Sequence, residues 1–412
     1  MKNAKKSEKA PTRLSRKTQK AGKGTFTPPP HTQEYSDLCD ALTPLVLWYA
    51  ANARALPWRE GRDPYRVWLS EIMLQQTRIE AVRPYYARFL EAAPTVAALA
   101  ALSEDRLMKL WQGLGYYSRA RNLRRAAIEM TEKHGGTLPA DYTALRALPG
   151  IGDYTAGAIA SIAFGLPTPA VDGNVLRVVA RVLGDASNIL APDTKKRVSD
   201  ALLFVYERAN ADAALRASLA EKDPTLSVPA ALTEGLMELG QTLCAPNRAP
   251  QCDGCPLADL CAVRKSGEWE SIPCREKKKA RRRETRLVLL LSDEDGRFAL
   301  RRRPDTGLLA SLWEFPSILL PDGVKASDAA LDAFGRDFCR EQGLAAAESA
   351  AAPDARHIFT HIEWQMKGRF FNVGITEKTD SSLVFATPAE IASVYALPSA
   401  FSSYLAWIRG EK

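Results

Sequence analysis

Apolar residues recur at helical spacing along the chain up to about residue 270, and beyond it they alternate with polar ones. In Gly173 to Leu183 the positions Val175, Leu176, Val179, Val182 and Leu183 follow the helical period and predict an amphipathic helix. Tyr142 to Leu148, with Leu145 and Leu148 apolar, predicts another. Pro149 to Gly152 interrupts it with a Gly-Ile-Gly turn. Asp153 then opens a helix in which Ala156, Gly157, Ala158, Ala160 and Ala163 allow close packing against a neighbour, so the local order is helix, hairpin, helix. Val67 to Thr77 predicts a further helix that sets Glu71 beside Trp68, Ile72, Leu74 and Gln75. From Thr285 the pattern turns to strands, at Thr285 to Ser292, Arg297 to Arg303 and Glu363 to Val373, with one helical interval near Ala329 to Gln342. The expectation is a multidomain protein, helical from about residue 35 to 270 and mixed α/β to the end.

Chemistry concentrates at a few of these helix ends. A helix that starts on a glycine turn exposes unpaired backbone N–H groups, so Gly150 and Gly152 can hold a phosphate without a basic side chain. Asp172 opens the next helix, where the helix dipole and backbone donors stabilise its charged form. An N-cap is the commonest job for such a residue, and both roles are compatible. Glu71 is placed the opposite way, on a largely apolar face where desolvation favours the neutral acid. Two carboxyl groups driven apart by their surroundings suit an acid and a counter-charge. The four histidines, His31, His134, His357 and His361, lie outside these helices and offer no imidazole base for them. Cys244, Cys252, Cys255 and Cys261 fall within one short segment and ask for a metal centre, zinc or iron–sulfur, while Cys39, Cys274 and Cys339 are ungrouped. Arg248, Arg264 and Lys265 around that segment suit a basic loop held against phosphates.

Composition adds a partner and some boundaries. The chain has 412 residues and a formal charge of +8, which favours a polyanion, and no apolar run is long enough to cross a membrane. Residues 1–34, basic and ending near Pro28-Pro29-Pro30, are expected to form a disordered arm on DNA, with a transit peptide ranked second. The run KKKARRR at 277–283 lies in an expected linker, 271–284, between a domain of residues 35–270 and a second of residues 285–412.

LPWREGRDPYRVWLSEIMLQQT from Leu56, GLGYYSRARNL from Gly113, LPGIGDYTAG from Leu148, VDGNVLR from Val171 and the four-cysteine loop together closely resemble adenine DNA glycosylases of the MutY type. The resemblance implies a helix-hairpin-helix glycosylase domain with a cysteine-cluster loop, followed by a Nudix-like α/β domain. It implies base excision repair: adenine opposite 8-oxoguanine or guanine in duplex DNA is flipped out and its N-glycosidic bond hydrolysed. Glu71 would protonate the adenine and Asp172 would stabilise the sugar cation, with Tyr154 and Asn174 in support. Arg59 would contact the base, while Gln76, Thr77, Leu114 and Tyr116 would probe and wedge the duplex. Strand-cutting relatives carry a lysine where Tyr154 stands, so a monofunctional enzyme that leaves an abasic site is expected.

The same resemblance implies a [4Fe-4S] cluster on Cys244, Cys252, Cys255 and Cys261, with zinc as the lesser alternative. The loop from Cys244 to Cys252 is one residue longer than the family's usual one, and Thr233-Glu234 replaces a usual Asn-Gln pair. GLLASLWEFP from Gly307 resembles the Nudix-like module of these enzymes, and Arg340 to Leu344 retains only a fragment of the glutamate-rich helix that nucleotide hydrolysis requires. Phe359, Thr360 and His361 would read the 8-oxoguanine, threonine standing for the usual serine. A monomer working in the cytoplasm at the nucleoid is expected, with mitochondrial or nuclear placement as alternatives. Three rivals differ in what they predict. A DNA-docking regulator would not use Glu71, a nucleotide-pool hydrolase would need the full glutamate helix, and a thymine-removing mismatch enzyme would not need a lesion reader.

Overall fold

The computed structural model describes residues 33–276, 280–321, 323–324, 326–375 and 382–411. The arm expected over residues 1–34 therefore lies almost wholly outside the described residues, as do residues 277–279 of the basic run. Helices fill the chain from Gln33–Asn52 to Ala262–Ser266, and strands begin at Arg282–Ser292.

The helical part is built on two apolar clusters. One gathers Trp68, Phe89, Trp111, Leu123 and Ile159 from the chain between Leu56 and Ala170. The other gathers Leu42, Val46, Val179, Leu202 and Leu232, bringing the N-terminal helix Gln33–Asn52 against Gly173–Leu183, Pro192–Ala211 and Val228–Gln241. Complete burial of a side chain such as Trp68 or Leu42 contributes about 1.5–3 kcal/mol, so each cluster is an independent source of stability. Val228–Gln241 runs along the seam: Met237 faces the first cluster, and Leu232, Leu236 and Leu239 face the second. The chain crosses from one lobe to the other at Ala170 and Val171, immediately before Asp172.

Small residues set that crossing. A Cβ on Gly157 would lie 2.2 Å from the carbonyl oxygen of Pro169, so only glycine lets the helix Asp153–Phe164 approach the crossing strand. The predicted helix Gly173–Leu183 is observed with those limits, capped by Asp172. The acid-bearing helix runs Pro64–Leu74, capped by Asp63 through a 3.0 Å bond from Arg66 N. It starts earlier and stops sooner than the sequence pattern suggests, because Gln76 takes a left-handed φ of 56° that ends the helix.

Beyond Arg282 a seven-stranded sheet carries helices on both faces. Arg282–Ser292 pairs in parallel with Ile362–Ile375 and antiparallel with Ser317–Leu319 and Phe298–Arg302, while Leu344–Ile358 pairs antiparallel with Ile362–Ile375. Along Arg282–Ser292, Leu287, Leu289 and Leu291 face the cluster under helix Asp328–Glu341, and Val288 and Leu290 face the cluster of Phe401 and Tyr404. This period of two with both faces buried marks a central strand. The sequence pattern did not reveal Leu344–Ile358, whose alanine-rich run favours no strand and whose pairing shifts register twice, between Ala346 and Ser349 and between Ala352 and Ala355.

Candidate active site

Glu71 sits in the last turn of Pro64–Leu74, only 7% exposed, and lines a cavity of about 40 Å³ with Trp58, Arg59, Ser70, Glu234 and Met237. Burial pushes its carboxyl from 4.5 to about 7; the hydrogen bond from Tyr154 pulls the other way, and the nearby charge of Asp172 adds to the rise. Tyr154 donates its hydroxyl to Glu71 Oε2 at 2.7 Å. Desolvation and the charges of Glu71 and Asp172 hold that phenol well above its usual range, so it is a donor and not a base. The cavity admits water but no purine ring, so an incoming base has to displace side chains that now close it.

Asp172 faces the same tyrosine from the seam. Its Oδ1 accepts from the backbone N–H groups of Asn174 and Val175, both at 2.8 Å, and its Oδ2 accepts from Asn174 Nδ2 at 2.7 Å. Three donors form the partner set of a carboxylate. Asn174 is fixed in turn by Arg177, whose Nη2 donates to Asn174 Oδ1 at 2.9 Å and to the carbonyl of Gly240 at 2.7 Å. Glu71, Tyr154, Asp172 and Asn174, predicted from three separate motifs, thus form two bonded pairs, Tyr154 on Glu71 and Asn174 on Asp172, with the charge of Asp172 felt by the first pair.

Arg59 reaches this group on a chain of buried acids. It bonds Glu238 at 2.9 Å and Glu234 at 3.2 Å, and its guanidinium lies 5.4 Å from the centroid of the Tyr49 ring. Glu234 is 4% exposed, and burial raises its pKa even though Arg59 and Arg62 oppose the rise. Sequence reasoning missed this residue. Its signal was two acids four residues apart, Glu234 and Glu238, on the otherwise apolar helix Val228–Gln241. The neighbouring Thr233 has a structural explanation: its hydroxyl donates to Ser161 at 2.7 Å and shares a 2.9 Å bond with Tyr206 inside the core.

The hairpin lies between Tyr142–Ala147 and Asp153–Phe164. Gly150 has a φ of 77°, and a Cβ there would lie 2.6 Å from that of Asn122. Gly152 caps the second helix and leaves its first N–H groups free of any side-chain cap.

A larger cleft, about 520 Å³, opens where the helical part meets the sheet part. Gln76, Tyr116, Arg121, Phe359, Thr360 and His361 line it together, although they come from opposite ends of the chain. Tyr116 is 45% exposed, with φ 48°, and its hydroxyl shares a 2.6 Å hydrogen bond with Thr360. Phe359 packs edge-on against His357 and Trp364. Thr77 is half-buried behind Gln76. Leu114 differs from its expected place beside the wedge tip, since it is 6% exposed and belongs to the core, as does Tyr117 at 5%.

Cys244, Cys252, Cys255 and Cys261 line one cavity of about 330 Å³. Arg181, 2% exposed, donates to Cys244 Sγ at 3.2 Å and otherwise to the carbonyls of Ala245, Trp269 and Ile272, with no carboxylate partner among the described residues. Its charge is met by these carbonyl oxygens, that of Cys244 included, and by the Cys244 sulfur.

Residues 69–203 match the HhH-GPD superfamily of base excision DNA repair proteins, and residues 287–407 match the NUDIX domain. The chain is 34% identical to adenine DNA glycosylase of Mus musculus over 80% of its own length and 70% of the mouse protein. It is 34% identical to adenine DNA glycosylase of Arabidopsis thaliana over 82% of its length, which spans 58% of the plant protein. A thermostable thymine-DNA glycosylase of known structure aligns at 23% identity and a TM-score of 0.44, covering 57% of this chain and 97% of that one. With its two domains in this order and this extent of identity, the chain belongs to the adenine DNA glycosylase family.

Proposed function

We propose that the protein hydrolyses the N-glycosidic bond of adenine mispaired with 8-oxoguanine, or with guanine, in duplex DNA. The observation that carries this reading is the pairing of a buried carboxyl, pushed to about 7 and bonded to Tyr154, with a second carboxyl held by three donors. Glu71, protonated, donates to a ring nitrogen of the extruded adenine and turns it into a good leaving group. As the bond breaks, the sugar gains oxocarbenium character and Asp172 stabilises it, by charge or by transient attachment, until water adds. Asn174 holds Asp172, Tyr154 holds Glu71, and Arg59 with Glu234 faces the base edge from the cavity wall. The phenol at position 154 offers no amine for a Schiff base, which supports a monofunctional enzyme that leaves an abasic site.

DNA is held by the exposed N–H groups at Gly150 and Gly152 and by the net positive charge. Gln76, Thr77 and Tyr116, with Leu114 buttressing the turn from below, probe and wedge the stack. Phe359, Thr360 and His361 read the 8-oxoguanine from the facing wall of the cleft. The four cysteines lining one cavity, with Arg181 donating to the Cys244 sulfur, fit a [4Fe-4S] cluster, with zinc as the lesser alternative. When bound, that cluster supplies a rigid anionic crosslink, and Arg248, Arg264 and Lys265 lie on the loops it would brace. Iron analysis and visible absorption of the purified protein test this assignment.

The deciding experiment is single-turnover incubation with an 8-oxoguanine:adenine duplex followed by alkali, comparing wild type with Glu71→Gln. The variant should lose about a hundredfold to a thousandfold in rate, as for other removed catalytic groups. An unaffected variant refutes the acid, and a stoichiometric borohydride adduct with the wild type refutes the monofunctional assignment.

A further inference from the structure

Gln76 and Tyr116, at the tips of two loops that face the cleft, both take left-handed backbone conformations, with φ of 56° and 48°. In a non-glycine residue this conformation is strained and persists only where the surroundings impose it. Arg119 bonds the backbone immediately before both residues. It is the second residue of helix Ser118–Lys133 and is 8% exposed. Its Nη1 donates to the carbonyls of Ile72 at 2.7 Å, Met73 at 2.9 Å and Gln75 at 2.8 Å. Its Nη2 donates to the carbonyls of Leu114 and Gly115, each at 3.1 Å, and lies 3.4 Å from Thr77 Oγ1. The planar fork lies over Trp111, 5.3 Å from the ring centroid, and over Tyr116 at 5.6 Å.

No carboxylate pairs with this guanidinium among the described residues. Carbonyl dipoles at the C-terminal end of the Glu71 helix meet its charge instead. Simple packing needs no buried cation at such a place, since an apolar side chain would fill it without the desolvation cost. Burial lowers its pKa from 12.5 to about 10, as expected of a dry site.

Resting on the glycosylase reading above, we propose that Arg119 is a positioning residue for base extrusion. Its fork locks the Gln76 turn and the Tyr116 wedge to the end of the helix that carries Glu71, so wedge insertion and presentation of the acid occur as one rigid movement. Arg119 itself touches neither base nor phosphate. Lysine cannot replace it fully, because an ammonium lacks the planar fork that spans both loops.

The test uses full-length wild type, Arg119→Met and Arg119→Lys. The probe is a duplex with 8-oxoguanine opposite a non-hydrolysable fluoro-adenosine, with 2-aminopurine beside it to report unstacking by fluorescence. Arg119→Met should bind undamaged duplex as wild type does, because phosphate contacts carry that affinity. It should lose the unstacking signal and about a hundredfold of the single-turnover excision rate on ordinary substrate, the order expected for an ångström of misplacement. Arg119→Lys should recover part of both. A folded Arg119→Met with the wild-type unstacking signal overturns the proposal, and so does a loss of signal matched by an equal loss of undamaged-duplex binding. If Arg119→Met does not melt cooperatively, Arg119→Lys decides: a weakened signal with intact duplex binding supports the clamp, and a wild-type signal overturns it. Failure of the underlying reading is separate and visible at once, because wild type would then release no adenine.

Discussion

The proposed mechanism requires Glu71 to be an acid when the base arrives and a carboxylate after it has given up its proton. With its carboxyl at about 7, raised chiefly by burial, the competent form is fully populated below that pH and falls about tenfold per unit above it. Single-turnover excision measured from pH 5 to 9 should therefore lose rate on the alkaline side, with a midpoint near 7. The bond from Tyr154 Oη to Glu71 opposes the rise. Tyr154→Phe should accordingly move the alkaline midpoint upward while lowering the maximal rate, and a downward shift would show that the phenol does not act through that bond. The same displacement has a stability consequence. A carboxyl whose folded value exceeds its unfolded one contributes its full stability below about 4.5, and that contribution is lost as pH rises through about 7. At pH 8 the buried charge costs on the order of 3 kcal/mol, so Glu71→Gln should melt above wild type there and approach it near pH 5. At this scale the sequence was informative where chemistry restricts residue type. An acid among apolar neighbours marked Glu71, and a helix start marked Asp172, yet Glu234 was marked only as a departure from the family pattern and not as part of the site, because nothing in Val228–Gln241 says that this helix faces the cavity.

Among the elements, the helix Asp153–Phe164 shows how a residue with no side chain contributes to the site. Gly157 lets it lie against Pro169, which leads directly into Asp172. A methyl group there must push the crossing strand away, since its nearest neighbour is backbone and cannot rotate aside. Gly157→Ala should cost about 1–3 kcal/mol, as overpacking does, and should lower excision further by displacing Asp172. Thermal melting and single-turnover rates measure the two effects separately; a variant as stable and as active as wild type would mean that the crossing is looser than its contacts imply. The helical half was readable because its apolar period and its glycine turn agree with each other. The sheet half was readable only in its central strands, where Leu287 to Leu291 are buried on both faces. Leu344–Ile358 escaped notice because cross-strand pairing with Ile362–Ile375, and no local preference of its own, makes it a strand.

At the scale of the whole molecule, the sheet-side wall of the cleft is docked onto the glycosylase helices. Gln112 Nε2 donates to the carbonyl of Leu397 at 2.9 Å, Arg121 Nη1 to that of Ala310 at 2.9 Å, and Lys109 Nζ to those of Ala392 and Tyr395. Lys109 is half-buried, and desolvation lowers its pKa, so its charge is spent on helix-end carbonyls and not on a surface ion pair. In the function proposed above, such a joint would present Phe359, Thr360 and His361 to one strand of a duplex and Glu71 with Asp172 to the other. None of it was visible in the sequence, because the partners are more than 180 residues apart and these acceptors are all backbone carbonyls. The arrangement makes reading and excision separable. Replacing Phe359 and His361 with alanine removes an aromatic surface and a polar head from the cleft and leaves the carboxyl pair untouched. The double variant should excise adenine opposite guanine at the wild-type rate and lose its preference for adenine opposite 8-oxoguanine, with the alkaline midpoint unmoved near 7. Equal loss on both duplexes would place these residues in general DNA binding, and a shifted midpoint would mean that the two walls of the cleft are coupled through Glu71 itself.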